Sequence, residues 1–289
     1  MNKLKFLSGN ALKILAAIAM VFDHVGLLFF PTNTLYRKIG RLAFPIFAFL
    51  LAEGCKYTRD RKKHFLQIFV LALVCQLFYL VFMSDTYLSV LVTLTLAEGC
   101  IFSLQDFKKN LFNEQNSALK KALCFLPFLA FVIATSLIAH LAQVDYGFWG
   151  CMLPVFASLT DFRCVRQPKS NLVSAPETSS PTAFLESETA TADNAQPEPN
   201  LKARQTNFIE KLDQPFPQLI CFTIGLICLY LFSSSILPKA YSFLALIPLL
   251  FYSGKRGKWK LKYFFYLFYP LHLVLLEVIY VIWYFLSIT

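Results

Sequence analysis

Asp23 and His24 stand side by side in ALKILAAIAMVFDHVGLLFF, residues 11–30, where Lys13 is the one other charged side chain. An imidazole next to a carboxylate is the minimum set for general-base chemistry. The ring takes a proton from an incoming nucleophile, and the acid orients the ring. An aspartate in a bilayer core costs about 2.5–3.5 kcal/mol, so an ionisable pair there points to function before packing. The competing reading is a polar contact between helices. Arg41 opens RLAFPIFAFLLAEG near the same depth, and an Arg41–Asp23 pair would keep Asp23 ionised and let it steer or charge His24. On its own, Arg41 also reads as an interfacial anchor. His272 follows Pro270 in YFFYLFYPLHLVLLEVIY, where a proline kink would open the helix beside an inward-facing imidazole, with Glu277 further along.

Two further groups suit binding rather than proton transfer. HLAQVDYGFWG places Asp145, Tyr146 and Trp149 at one membrane face, with His140 a short turn inside. Asp145 and Tyr146 are candidate substrate-binding residues, although Tyr and Trp there also read as ordinary belt residues. On the opposite face, Arg59 and Arg61 follow the second apolar run, and Gly254 and Gly257 bracket Lys255-Arg256 in YSGKRGKWKLK. A tight basic loop of this kind can hold phosphates through backbone N–H groups and cations. The GxxxxGK[ST] and GxGxxG patterns are absent. So are GxSxG and HExxH, which weakens hydrolase and metalloprotease readings.

The elements that must position these residues are membrane helices. The chain is 57% hydrophobic with 31 Phe, and its apolar residues fall in repeated runs of about 20, more than a soluble core of this length needs. Nine spans are expected, near 10–30, 39–55, 65–83, 87–104, 122–142, 146–160, 218–236, 240–252 and 263–286; the second, sixth and eighth are short, as re-entrant or cavity-lining helices often are. The fold class is therefore all-α, a polytopic transmembrane helix bundle, and the first apolar run reads as a retained helix rather than a cleaved signal. With the N-terminus in the cytoplasm, 23 of the 27 Lys and Arg fall on the cytoplasmic side, leaving Arg37, Lys38, Arg41 and Lys239 opposite. That asymmetry fits the positive-inside rule and explains the net charge of +10 without nucleic acid. Residues 1–160 form a first helix block and 218–289 a second. Between them, 161–217 is rich in Ser, Thr, Pro and Glu and reads as a disordered cytoplasmic loop. The eight Cys lack metal-ligand spacing and fall mostly in apolar runs, so neither a disulfide framework nor a zinc site is expected.

Four blocks carry a resemblance: LKILAAIAMVFDHVGLLFFP (12–31), IGRLAFPIFAFLLAEGCKYTRDRKKH (39–64), DYGFWG (145–150) and LALIPLLFYSGKRGKWKLKYFFYLFYPLHLVLL (244–276). In this order they resemble the TraX family, membrane proteins associated with N-acetylation of F-type pilin. The first two are also similar to transmembrane acyltransferases of the heparan glucosaminide N-acetyltransferase type, which use a membrane His as base and acetyl-CoA as donor. The resemblance implies acetyl transfer to an amine or hydroxyl, with His24 as base and Asp23 as its partner. Arg41 and His272 fall in matching motifs. The expected arrangement is an enzyme of the cytoplasmic (inner) membrane. Acetyl-CoA would be held by Arg59, Arg61, Lys255 and Arg256, and a pilin-like protein or glycan acceptor would enter from outside. A proton-coupled permease with an Asp23–His24–His272 relay is the alternative, and a non-catalytic assembly scaffold is a third reading.

Overall fold

The structure is a computed structural model, and it describes residues 5–83, 88–113, 115–165, 211–232, 240–259 and 261–288. Most of the expected 161–217 loop lies outside the described residues. Regular structure among the described residues is helical, with two isolated backbone bridges, Leu7–Tyr252 and Leu88–Val144.

Helix α1 (Gly9–Phe29) starts where the Ser8 hydroxyl accepts the Ala11 N–H. The Gly9 and Asn10 N–H groups donate to the carbonyls of Lys255 and Arg256 at 2.8 and 3.0 Å. Three of the orphan donors at this helix end are thus satisfied by a side chain and by the 254–257 loop. A short α2 (Thr34–Gly40), capped by Asn33, folds back on α1. Then come α3 (Ala43–Tyr57), and α4 (Arg61–Phe78), which is capped by Asp60 and ends in a π-helical turn at Tyr79–Met83. After these are α5 (Val90–Leu111), α6 (Ala118–Leu123), α7 (Phe125–Leu141) and α8 (Gly147–Ser158). Helix α9 (Pro215–Leu231), a 3₁₀ turn (Tyr241–Ala245) leading into α10 (Leu246–Leu250), and α11 (Lys262–Ile288) complete the bundle.

Among the described residues, five helices are long and apolar enough to cross a membrane: Gly9–Phe29, Arg61–Val81, Val90–Leu111, Ala118–Leu141 and Tyr263–Ser287. The chain is a multi-pass membrane protein. The other four expected spans are helices too, but α3 has 15 residues, α8 has 12, α9 has 17 and Tyr241–Leu250 has 10. At 1.5 Å per residue these are shorter than a bilayer core of roughly 30 Å, so five of the nine expected spans have crossing length among the described residues. The short helices are the centre of the molecule. Phe44, Ile46 and Phe49 of α3 pack with Ile101 of α5, Leu153 of α8 and Phe222 of α9 in one buried cluster. The long helices α4, α7 and α11 surround it and turn their Leu, Phe, Ile and Val side chains outward, a surface suited to lipid.

Buried polar groups pin the short helices. Lys108 on α5 donates to the carbonyls of Ser158, Leu159 and Asp161 at 2.8, 2.7 and 2.9 Å, closing the C-terminal end of α8. Glu53 on α3 accepts from Gln218 on α9 at 3.0 Å and from the Tyr252 hydroxyl at 3.3 Å. Burial, then the Glu53 charge, push the Tyr252 phenol above its ordinary value, so it stays a donor. Lys56 pairs with Asp213 at 2.6 Å, tying the chain just before α9 to the end of α3.

Candidate active site in the bundle cavity

Residues i and i+1 on a helix point about 100° apart. Asp23 and His24 therefore leave α1 toward different neighbours. Asp23 lies against α2, where its Cβ and Oδ1 would be 2.3 and 2.4 Å from a Cβ on Gly40. That position tolerates glycine alone without displacement of the aspartate. Gly26 receives Tyr36 of α2 in the same way, at 2.3 Å. The close approach of α2 puts Arg37 beside Asp23, Nη1 to Oδ2 at 3.3 Å. The expected Arg41–Asp23 pair is replaced by Arg37–Asp23. Arg41, one turn further on, donates instead to the Tyr146 hydroxyl at 2.9 Å and lies over its ring at 5.4 Å.

His24 turns to α11 and α4. Its Nδ1 is 3.2 Å from His272 Nε2, and its Nε2 is 3.4 Å from the Tyr79 hydroxyl. His272 Nδ1 is 3.0 Å from the Phe268 carbonyl. A carbonyl only accepts, so His272 carries its proton on Nδ1 and, when neutral, offers a bare Nε2. His24 then donates from Nδ1, and the lone pair of neutral His24 is on Nε2, where the Tyr79 hydroxyl donates to it. The imidazole is thus oriented by His272, not by Asp23 as expected from adjacency. Pro270 sits inside an uninterrupted α11, whose face carries Phe268 and His272 one turn apart with their rings stacked at 5.2 Å.

A cavity of about 440 Å³ joins these groups. Asp23, His24, Arg37, Arg41, Tyr79 and Tyr146 line one end, and Lys13, Gly54, His64 and Tyr266 line the other. Lys13 is ten residues before Asp23 on α1, or roughly 15 Å along the axis. Asp145 also lines the cavity. Tyr146 is buried, not a belt residue, and holds a left-handed backbone at φ 63°. Such strain costs an aromatic residue roughly 1–3 kcal/mol and persists only where the surroundings enforce it. Here Asp145 Oδ1 accepts the Tyr146 N–H at 3.0 Å, Phe44 stacks on its ring at 3.9 Å, and Gly150 leaves the space a Cβ would fill. Two buried polar atoms at this end have no hydrogen-bond partner, Asp23 Oδ1 and Arg41 Nε.

The basic residues lie at the Lys13 end. The Lys255 and Arg256 carbonyls meet the start of α1, and their side chains are exposed. The loop presents carbonyls to the helix, so its offer to an anion is the two cationic side chains rather than the backbone cradle expected. Gly254 and Gly257 have φ of 71° and 96°, as such a turn requires. Arg59 is exposed between α3 and α4. Arg61 is held by Asp106 and lies over the Phe102 ring at 5.5 Å, so it is already committed within the bundle. His140 is exposed near the end of α7 and does not line the cavity.

Three residues that the sequence does not single out belong to this region. Tyr79 meets His24 only because α4 ends in a π turn beside it. His64 pairs with Glu98 at 2.5 Å, and Glu98 is 0% exposed. Glu98 was detectable by the rule that singled out Asp23, a carboxylate inside an apolar span.

The TraX protein family model matches residues 8–178, more than half of the chain. The match holds Asp23, His24, Arg37, Arg41, His64, Glu98, Asp145 and Tyr146; His272, Lys255 and Arg256 lie beyond it. Among curated proteins, a 76-residue stretch is 34% identical to the probable fimbrial assembly protein FimC, serogroup H1, of Dichelobacter nodosus, covering 25% of this chain and 31% of that protein. A 40-residue stretch is 52% identical to an uncharacterized protein of Rickettsia prowazekii (strain Madrid E), covering 14% of this chain and 16% of the relative. The chain thus spans a third or less of the curated relatives it matches. No solved structure matches it. By the family match across the cavity-forming helices, the chain belongs to the TraX family.

Proposed function

We propose that this chain is a multi-pass acetyltransferase of the cytoplasmic membrane. It moves an acetyl group from cytoplasmic acetyl-CoA to an amine or hydroxyl on a pilin N-terminus or an envelope glycan. The observation that carries the reading is the directed chain Phe268 carbonyl–His272–His24, which leaves the lone pair of His24 Nε2 at the wall of the cavity. The charge bias of the loops supports a cytoplasmic N-terminus, with the Lys13 end on the cytoplasmic side. The family's association with pilin acetylation and a relative named for fimbrial assembly support a pilin-type acceptor.

The donor set at the Lys13 end fits a polyphosphate. Lys255, Arg256 and Arg59 present exposed cations, whereas Arg61 is neutralised by Asp106. Acetyl-CoA would supply the activated acyl group there. At the other end the acceptor displaces the weak Tyr79 contact. Its N–H or O–H proton passes to His24 Nε2 as its heteroatom bonds to the acetyl carbon; the C–S bond then breaks, and the imidazolium returns that proton to the departing thiolate, which leaves as the CoA thiol. His272 takes the hydrogen bond of His24 Nδ1–H and so stabilises the imidazolium that forms. Asp23, held by Arg37, keeps a carboxylate near that cation. Arg41 and Tyr146 form the wall beside it.

The test is the purified protein with acetyl-CoA and candidate acceptor peptides or sugars, following free CoA thiol. Thiol release that depends on acceptor and is lost in His24→Ala supports the reading; release unchanged by His24→Ala overturns it. The His24–His272–Tyr79 chain also suits a proton relay in a permease, which would acidify vesicles without consuming acetyl-CoA.

A further inference from the structure

We infer that Cys55, His64 and Glu98 form a binding site for one transition-metal ion of the zinc class. The site lies at the Lys13 end of the bundle and is separate from the His24 centre. It stands whether or not the chain transfers acetyl groups. One ligand atom from each residue lies within 4.8 Å of the other two. They come from three different helices, α3, α4 and α5. Positions 55, 64 and 98 show no ligand spacing in sequence, which is why counting cysteines predicted no metal.

Glu98 is the second, independent observation. It is 0% exposed, its Oε1 faces His64 Nδ1 at 2.5 Å, and its Oε2 has no hydrogen-bond partner. A buried carboxylate oxygen without a donor is costly, and native folds rarely keep one. A divalent cation coordinated by Glu98 removes that cost. Zinc–ligand bonds of about 2.0–2.3 Å place ligand atoms roughly 3.4 Å apart around a tetrahedral centre. The present His64–Glu98 pair would open by about 0.9 Å to admit the ion.

The donor set selects the ion class. Thiolate and imidazole disfavour magnesium and calcium, which take oxygen ligands. Thiolate, imidazole and carboxylate together suit zinc or cobalt(II). Binding releases the Cys55 thiol proton and the proton between His64 and Glu98. The two positive charges are then matched by one thiolate and one carboxylate, so the buried site carries no net charge. Three protein ligands leave a fourth position, and the cavity reaches the cluster at His64, where a water would complete the shell.

The experiment uses the full chain, purified in detergent with a tag that contains no histidine. Zinc is measured by mass spectrometry after dialysis, and cobalt(II) is then titrated into metal-free protein. We expect about one zinc per chain. With cobalt(II) we expect a thiolate-to-cobalt charge-transfer band that is absent in Cys55→Ser. We also expect metal affinity at least about tenfold weaker in Cys55→Ser and Glu98→Gln. Cys55→Ser changes one buried atom, so it decides between the outcomes if Glu98→Gln fails to fold. Absence of stoichiometric zinc together with absence of the band overturns the site. So does a cobalt spectrum identical in wild type and Cys55→Ser.

Discussion

At the scale of single residues, the centre depends on which neighbour each side chain reaches. His24 is held by His272 at 3.2 Å, so replacing His272 by Phe keeps the ring and removes the acceptor. His272→Phe should lower kcat for acetyl transfer by about tenfold or more while leaving KM for acetyl-CoA unchanged, measured by thiol release. An unchanged kcat would mean that His272 does not set the tautomer of the base. His24→Ala removes the proposed base and should cost about 10²–10⁴-fold in rate, with membrane yield unaffected. At the opposite end, Arg256→Ala should raise KM for acetyl-CoA and leave kcat near wild type. Unchanged donor dependence would place the phosphates elsewhere. Asp23 and His24 stood out in the sequence because charge in an apolar run is costly. Their partners did not, since Arg37, Tyr79 and His272 are set by helix rotation and approach.

At the scale of elements, the short helices carry the precision of the site. Gly40 allows α2 to lie on Asp23, and a Cβ there would sit 2.3 Å from the aspartate Cβ. Gly40→Ala should therefore push α2 from α1, break the Arg37–Asp23 pair and abolish activity. Near-normal thermal stability with normal turnover would refute that packing. Lys108 closes α8 by three carbonyl contacts deep in the bundle. Lys108→Met leaves those acceptors without a donor and should destabilise the protein on the order of 3 kcal/mol, read as a lowered melting temperature in detergent. The sequence exposed α1, α4, α5, α7 and α11 through their apolar length. The runs that became α3, α8 and α10 already read as short there, and an apolar run reports burial in protein and in lipid alike.

At the scale of the whole molecule, α4, α7 and α11 turn apolar side chains outward, α3, α5, α8 and α9 form the core, and the cavity is lined by α1, α2, α3, α4, α5 and α11. The cavity runs between the Asp23 end and the Lys13 end, and the proposed topology puts these ends on opposite sides of the membrane. Cysteine labelling from either side tests that orientation. A cysteine at Ser253 should be reached only by reagent in the cytoplasm, and one at Thr32 only by reagent outside. The reverse pattern would invert the proposed direction of acetyl flow.

Composition and pattern by themselves determined a helical membrane protein and the asymmetry of its charged loops, and singled out Asp23, His24, Arg41, Asp145, Tyr146 and His272 as candidates. These follow from local quantities: hydropathy, charge, and the cost of an ionisable group among apolar neighbours. Only the tertiary structure decided that five helices among the described residues have spanning length, that His272 rather than Asp23 orients His24, that Arg37 takes Asp23 and Arg41 takes Tyr146, and that Cys55, His64 and Glu98 meet. Those pairings depend on the rotation of each helix about its axis and on the close approaches that Gly26, Gly40 and Gly150 permit. Neither quantity is a property of any one stretch of chain.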